Sequence, residues 1–323
     1  MDRRTFVAAL AALPSAAASA ETLNPPLELQ ETIALWPGVP PGAGPVLPTL
    51  RIDEQSPSPD AYRNRVLTGI ARPVLYVVRP ERPDGSALLV IPGGDYREEY
   101  VDNEGFDIAA RFSAAGVTCF VLVYRLPAEG WQVARDVPLQ DAQRAMRLIR
   151  ANAAGYALDP ERVGAIGFSA GGHLAASLAV RSNTAVYATQ DAADVLNAKP
   201  AFAALFYPVI TMLPPYAHEA SREMLLGNSP STALRAAYSC ERLVTADMPA
   251  MLLVDALDDD YVAPENTLAM FAALRAAKVP VEMHLFERGG HGFAIRGAAG
   301  LPAASWPDLL LKWGASRGIF RSA

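Results

Sequence analysis

Residues 167–173 read "GFSAGGH", a serine set among glycines where an apolar run gives way to an alanine-rich one. A serine hydroxyl attacks a carbonyl only if it is held exposed and a neighbouring base takes its proton. Gly167-Phe168-Ser169-Ala170-Gly171 fits G-x-S-x-G, a strained strand-to-helix turn that lifts the serine out of the chain. At either glycine a side chain would collide with the neighbouring strand or helix as the chain reverses. The competing reading is an ordinary serine N-cap, which also sits at a helix start. The setting favours the nucleophile: "RVGAIGF" before it reads as a buried strand, "AGGHLAASLAV" after it as a helix.

The base must come from four histidines. His173, four residues after Ser169, lies one helical turn along and packs beside the turn instead of facing the hydroxyl. His218 falls in the proline-rich "LPPYAHEA", where a surface loop is the default, and His284 lies inside the strand-like "VEMHLF", on the face opposite Val281, Met283 and Leu285. His291, in "ERGGHGF", occupies a glycine-flanked loop just after the last strand, from which a ring can reach across the carboxyl edge of a sheet. An acid is then needed to orient that ring. "MLLVDALDDDYVAPEN" offers Asp255, Asp258, Asp259 and Asp260; Asp259 is the candidate, with Asp258 as the alternative. Asp clusters also make ordinary solvated turns, and this one lacks the glycine and terminal glutamate of a calcium loop. The chain order Ser169, Asp259, His291 is nucleophile, acid, base. Two backbone donors complete such a site: the N–H of Ala170 and one from the loop after "LLVIPGGDY", where Gly94 is the candidate and Asp95 the alternative.

These residues need a scaffold. Short apolar, β-branched runs occur at 74–78, 87–91, 118–123, 163–168, 203–207, 251–255 and 281–286, and helical spacing at 106–115, 139–150, 170–181 and 266–277. Strands alternating with helices predict an α/β fold, a mostly parallel sheet covered on both faces. Near-continuous apolarity in "LLVI" and "FVLV" agrees, because strands buried on both sides need not alternate. Ligands of such sheets bind beyond the carboxyl ends of the strands, where Ser169 is expected.

With 323 residues, 51% of them hydrophobic, the chain can bury one sizeable core. Its net charge of −6 and its lack of a basic or basic–aromatic patch argue against nucleic acid as a partner. Cys119 and Cys240 lack zinc-binding spacing and read as two buried or indifferent thiols, a disulfide being possible. Residues 1–20 carry Arg3-Arg4, an apolar stretch to Leu13 and Ala18-Ser19-Ala20, an export signal resembling the twin-arginine type and too short to span a bilayer. This predicts a periplasmic or secreted protein with no membrane span after cleavage. Residues 21–60, rich in proline and glycine, read as an extended N-terminal arm without regular structure, and 61–323 as a single catalytic domain.

The segments "LWPGVPPGAG", "IPGGDY", "NEGFDIAARF", "VLVYRL", "PLQDAQRAMRLIR", "LDPERVGAIGFSAGGHLAA", "DDDYVAPENT" and "VPVEMHLFERGGHGF" together resemble bacterial carbohydrate esterases of the α/β-hydrolase superfamily, the acetylxylan-esterase-like and feruloyl-esterase-like group. The resemblance runs from Leu35 to Trp313. It implies an eight-stranded α/β-hydrolase fold without a large lid, a Ser169–Asp259–His291 triad, no cofactor or metal, and short acyl esters, often acetyl groups on plant polysaccharide, as small-molecule or oligosaccharide substrates. Where the family usually shows a third glycine this chain has Asp95. A carboxylate about 5 Å from a developing oxyanion costs on the order of 3 kcal/mol at an effective dielectric of 20, so its side chain is expected to point away, towards Arg97 or Arg125. Trp36, Tyr96, Tyr124 and Trp306 are candidates to line a sugar or aromatic pocket, Tyr96 and Trp36 foremost, although large aromatics are more often core. Two rivals share parts of this pattern: a prolyl-oligopeptidase-type serine peptidase, which usually carries an extra gating domain, and a non-catalytic binding protein on the same scaffold.

Overall fold

Four apolar runs buried at every position, Ala87–Ile91, Thr118–Val123, Val163–Phe168 and Phe202–Phe206, form the centre of the molecule. The computed structural model describes Leu27 and residues 30–321; the export segment expected at 1–20 lies outside the described residues. In chain order the strands are β1 (Glu31–Ala34), β2 (Arg51–Glu54), β3 (Arg65–Thr68), β4 (Val74–Val78), β5 (Ala87–Ile91), β6 (Glu99–Tyr100), β7 (Thr118–Val123), β8 (Val163–Phe168), β9 (Phe202–Phe206), β10 (Ala250–Ala256) and β11 (Val281–Phe286). The α-helices are α1 (Asp107–Ser113), α2 (Val137–Ala151), α3 (Ser169–Val180), α4 (Glu219–Leu226), α5 (Thr232–Ala237), α6 (Glu265–Ala276) and α7 (Trp306–Ser316).

The main sheet has eight strands in the order β1-β4-β7-β5-β8-β9-β10-β11. From β7 to β11 all neighbours are parallel, whereas β4 runs antiparallel to both β1 and β7. This is the mostly parallel, eight-stranded α/β-hydrolase sheet expected. Helices α2 and α3 pack against each other, and α1 meets α7 through Phe112 and Trp306, ring centroids 5.9 Å apart. Register fixes the site: Ile91 pairs with Gly167, so the loop leaving β5 emerges beside the start of α3.

The described part of the stretch 21–60 is more than an extended arm. β1 pairs with β4, Glu31–Ala34 against Val77–Val74, and closes one edge of the main sheet, while β2 joins a smaller sheet in the order β2-β3-β6. A boundary at 60/61 therefore separates strands of the same sheet. Periodicity does not reveal these strands because β2 is exposed at all four positions and β1 at three; backbone pairing alone defines them. A second departure lies before α1, where Asp102–Phe106 is wound as a π turn and Phe106 N–H reaches back to Val101 O at 2.9 Å. Both cysteines are buried and unbridged. Among the described residues no helix is long and apolar enough to cross a membrane.

Candidate active site

Ser169 opens α3 with a φ of +51°, a left-handed conformation that few non-glycine residues adopt. Phe168 before it is still extended, so the chain turns from strand to helix within one residue. The turn tolerates no bulk. A Cβ at Gly167 would sit 2.2 Å from Gly171 O, and one at Gly171 would sit 2.3 Å from both Ile91 O and Pro92 O. In the first turn of α3 the N–H of Ala170 has no intrahelical acceptor and is available to a ligand.

His291 and Asp259 come to this serine from the loops after β11 and β10. Ser169 Oγ lies 2.8 Å from His291 Nε2, and His291 Nδ1 lies 2.7 Å from Asp259 Oδ2. An ionised carboxylate only accepts, so Nδ1 carries the ring proton and Nε2 is left to accept from the serine. Asp259 is itself held: its Oδ1 accepts from the N–H groups of Tyr261 at 3.0 Å and Val262 at 2.9 Å. Burial alone would lower the His291 pKa. The hydrogen bond and charge of Asp259, backed by Glu104 and Asp255, outweigh it and leave the pKa above the usual 6.5. Asp258, the alternative acid, does a different job. Its Oδ1 accepts from Gly289 N–H at 2.9 Å and Gly290 N–H at 2.7 Å, anchoring the histidine loop to the acid loop. Asp255 is buried against Thr267, and burial pushes its pKa up to about 7.

The turn after β5 faces Ser169. Gly94 has φ +128°, and a Cβ there would fall 2.0 Å from Glu98 O, so only glycine fits. Asp95 and Tyr96 both follow at φ +60°. Gly93 N–H is already spent on Glu104 Oε2 at 2.8 Å, which leaves Gly94 and Asp95 as the candidate donors from this turn. Glu104, from the π turn, also accepts from Tyr207 Oη at 2.9 Å, and the Tyr207 ring stands edge-on to His291 with centroids 5.0 Å apart. Burial raises the Glu104 pKa, against the hydrogen bond from Gly93.

Several expectations need correction. Tyr96 does not line the cleft: it is buried, and its hydroxyl bonds His173 Nδ1 at 2.7 Å. His173 Nε2 faces the carbonyl of Tyr238 at 2.8 Å, so Nε2 bears the proton and Nδ1 accepts from Tyr96; burial lowers its pKa to about 4, keeping it neutral. Trp36 is buried on α2, its indole N–H donating to Asp141 Oδ1 at 2.7 Å. Tyr124 and Trp306 are core as well, their polar tips bonded to Pro92 O and Ala294 O. Asp95 does not turn to Arg97 or Arg125. Its Oδ2 accepts from Tyr261 Oη at 2.5 Å, while Arg125 is buried in a pair with Asp141. His218 is not in an open loop either: it is mostly buried, its ring 4.6 Å from that of Tyr261 and its Nδ1 3.8 Å from Asp95 Oδ1. His284 lies on β11, bonded to Glu282.

The cleft over Ser169 measures about 340 Å³ and is lined by Gly94, Asp95, Glu104, Tyr261 and His291 with Arg97, Tyr100 and Asn103. Glu104, Tyr207, Tyr261 and His218 are the neighbours that sequence reasoning missed. Tyr261 was in view, two residues past the acid; Glu104 sits in a π turn that 3.6-residue periodicity does not register.

The BD-FAE family profile matches residues 75–274. The chain is 35% identical over 208 residues to endo-1,4-beta-xylanase B of Butyrivibrio fibrisolvens, and 30% identical over 220 residues to an acetylxylan esterase of Xylanibacter ruminicola. These matches span 64% and 67% of this chain but only 32% and 42% of the two relatives. The structure of an acetyl ester-xyloside bifunctional hydrolase from Caldicellulosiruptor lactoaceticus aligns with a TM-score of 0.72 at 29% identity, covering 90% of this chain and 97% of that one. An esterase from Thermogutta terrifontis with propionate bound aligns at a TM-score of 0.65 and 22% identity, over 86% and 98% of the two chains, a likeness of fold. With an elbow serine on a mostly parallel sheet and a family profile that covers most of that sheet, the chain belongs to the BD-FAE family.

Proposed function

We propose that this protein is a serine esterase that hydrolyses short acyl esters, acetyl groups on carbohydrate foremost, through an acyl-enzyme. The observation that carries the reading is the unbroken contact chain from Ser169 Oγ to His291 to Asp259, at 2.8 and 2.7 Å. In this mechanism Ser169 attacks the ester carbonyl as His291 Nε2 takes its proton, and Asp259 stabilises the imidazolium. The N–H groups of Ala170 and Gly94, or Asp95, bind the oxyanion; loss of one such donor typically lowers kcat by about 10²–10³. His291 then protonates the leaving alcohol, and water repeats the cycle to free the acid. Acetyl and carbohydrate preference draws its support from the relatives named acetylxylan esterase and acetyl ester-xyloside hydrolase. Export by a twin-arginine route belongs to the same proposal and rests on Arg3-Arg4 and the apolar stretch after them; cell fractionation tests it.

The test is a burst of product from p-nitrophenyl acetate together with an organophosphonate adduct on Ser169. Both are expected for the native chain and for His173→Ala, and neither for Ser169→Ala. Absence of an adduct on the folded native chain would leave a binding scaffold, and faster turnover of an anilide than of the ester would make the protein a peptidase.

A further inference from the structure

Asp95 is an expensive residue where it stands. Its backbone is left-handed, φ +60°, where glycine fits without strain. Its charge lies in the same cleft as Ser169, where a carboxylate opposes the negative charge that develops on an ester oxygen. The side chain is nevertheless held in the cleft. Tyr261 Oη donates to Oδ2 at 2.5 Å, joining the turn after β5 to the loop after β10 across 166 residues of sequence. The Tyr261 ring is half exposed, with its centroid 5.0 Å from that of His291, so the bridge stands immediately beside the reacting atoms.

We propose that Asp95 and Tyr261 together read a free hydroxyl on the alcohol half of the ester, so that partially acylated saccharides are selected over esters whose alcohol carries no hydroxyl. The inference rests on the esterase reading above and adds what the leaving alcohol must carry. Once Tyr261 has donated its proton to Asp95, the pair has only acceptor sites left: a lone pair on Oη and the remaining positions on the carboxylate. It therefore binds donors, and an ether or carbonyl oxygen gains nothing from it. On the alcohol half of a carbohydrate ester, the group that supplies such a donor is a free hydroxyl. The Asp95 side chain keeps 15% of its surface accessible, enough for a small donor to reach.

The surroundings give the rest of a saccharide a place to lie. Tyr261 also lines a second hollow of about 410 Å³, shared with Tyr216, His218, Asp260 and Glu265. Two half-exposed aromatic rings, Tyr261 and Tyr216, thus stand with carboxylates around a hollow that shares Tyr261 with the cleft over Ser169. A ring with hydroxyls on its edge and C–H groups on its face matches such a surface.

Three substrates separate the possibilities: a mono-O-acetyl methyl xyloside, the fully acetylated methyl xyloside and p-nitrophenyl acetate, of which only the first has a free hydroxyl. The native chain is expected to favour the first over the second in kcat/KM, with p-nitrophenyl acetate, whose leaving group is activated, as the reference for acyl transfer itself. In Asp95→Gly, which suits the left-handed backbone, and in Tyr261→Phe, that preference falls by about tenfold, the scale of a lost hydrogen bond to a charged group. Asp95→Gly should also turn over p-nitrophenyl acetate faster. A change in preference of less than threefold in both variants, or a parallel fall on all three substrates, overturns the inference while leaving the esterase reading intact. If the folded native chain hydrolyses none of the three and Ser169 takes no organophosphonate, the esterase reading itself fails and this one with it.

Discussion

His291 acts as a base only when neutral, and its pKa stands above 6.5 because Asp259 overrides the effect of burial. Activity should therefore fall as pH drops through a midpoint above 6.5. In Asp259→Asn the burial effect is left without its main opponent, so the acid limb of kcat/KM should move to lower pH while kcat falls by roughly 10⁴. A limb that does not move would remove Asp259 as the partner and turn attention to Asp258. Glu104 makes a different prediction. Both its oxygens accept, from Gly93 N–H and Tyr207 Oη, so Glu104→Ala strands a buried donor at the turn that carries Gly94, at about 1–3 kcal/mol. Misaligned donors weaken transition-state binding more than substrate binding. We expect kcat to fall by about tenfold or more with KM little changed. Glu104→Gln should recover most of the loss, since a glutamine oxygen can still accept from Gly93 while its amide donates to a rotated Tyr207 hydroxyl. A rise in KM alone would make Glu104 a substrate contact instead.

Elements divide by what fixes them. β5, β7, β8 and β9 are legible because burial on both faces demands unbroken apolar runs, and the Ser169 turn is legible because its glycines are dictated by contacts near 2.2 Å. Asp259 and His291 follow from β10 and β11, since each lies a few residues past the carboxyl end of its strand. β1 and β2 were illegible because an exposed strand paired only through its backbone leaves no pattern in side chains. Tyr96 is placed in the cleft by its identity and in the core by the structure, whereas His173 packs beside the Ser169 turn as its spacing implies: whether an aromatic lines a pocket or reaches into the core depends on a backbone dihedral, here φ +60° at Tyr96, that its identity does not reveal. Their hydrogen bond ties the turn after β5 to helix α3, so two elements that must face each other are joined outside the cleft. Tyr96→Phe leaves His173 Nδ1 buried without a donor. Thermal unfolding should come a few degrees earlier, with kcat reduced and the phosphonate adduct on Ser169 retained. Unchanged kcat would mean that the turn keeps its position without this tie.

For the molecule as a whole, the question is whether the N-terminal stretch is an appendage or part of the fold. Three segments that carry the family resemblance, "LWPGVPPGAG", "VLVYRL" and "PLQDAQRAMRLIR", converge on one buried cluster, although nothing in their spacing says so. Asp141 on α2 accepts from the Trp36 indole at 2.7 Å and from the Arg125 guanidinium at 2.8 Å, while Arg125 Nη1 donates to Pro41 O at 2.6 Å. One turn along α2, Arg144 donates to Leu35 O at 2.8 Å and pairs with Asp194 at 2.9 Å. The proline-rich stretch is thus held to the back of α2 by charged groups that are themselves buried, Arg125 and Asp141 having no exposed side-chain surface. Removing one member of such a pair leaves the other charge uncompensated, which costs about 3–5 kcal/mol. Asp141→Ala should lower the unfolding free energy by that amount, and the urea midpoint by that amount divided by an unchanged m-value, with a single transition, because the cluster joins the stretch to the sheet through α2. Protease cleavage between residues 37 and 49 should appear below that transition, since Trp36 and Pro41 lose their anchors first. A two-step unfolding curve, with the first step confined to the N-terminal stretch in the native chain as well, would show instead that the stretch folds separately from the sheet.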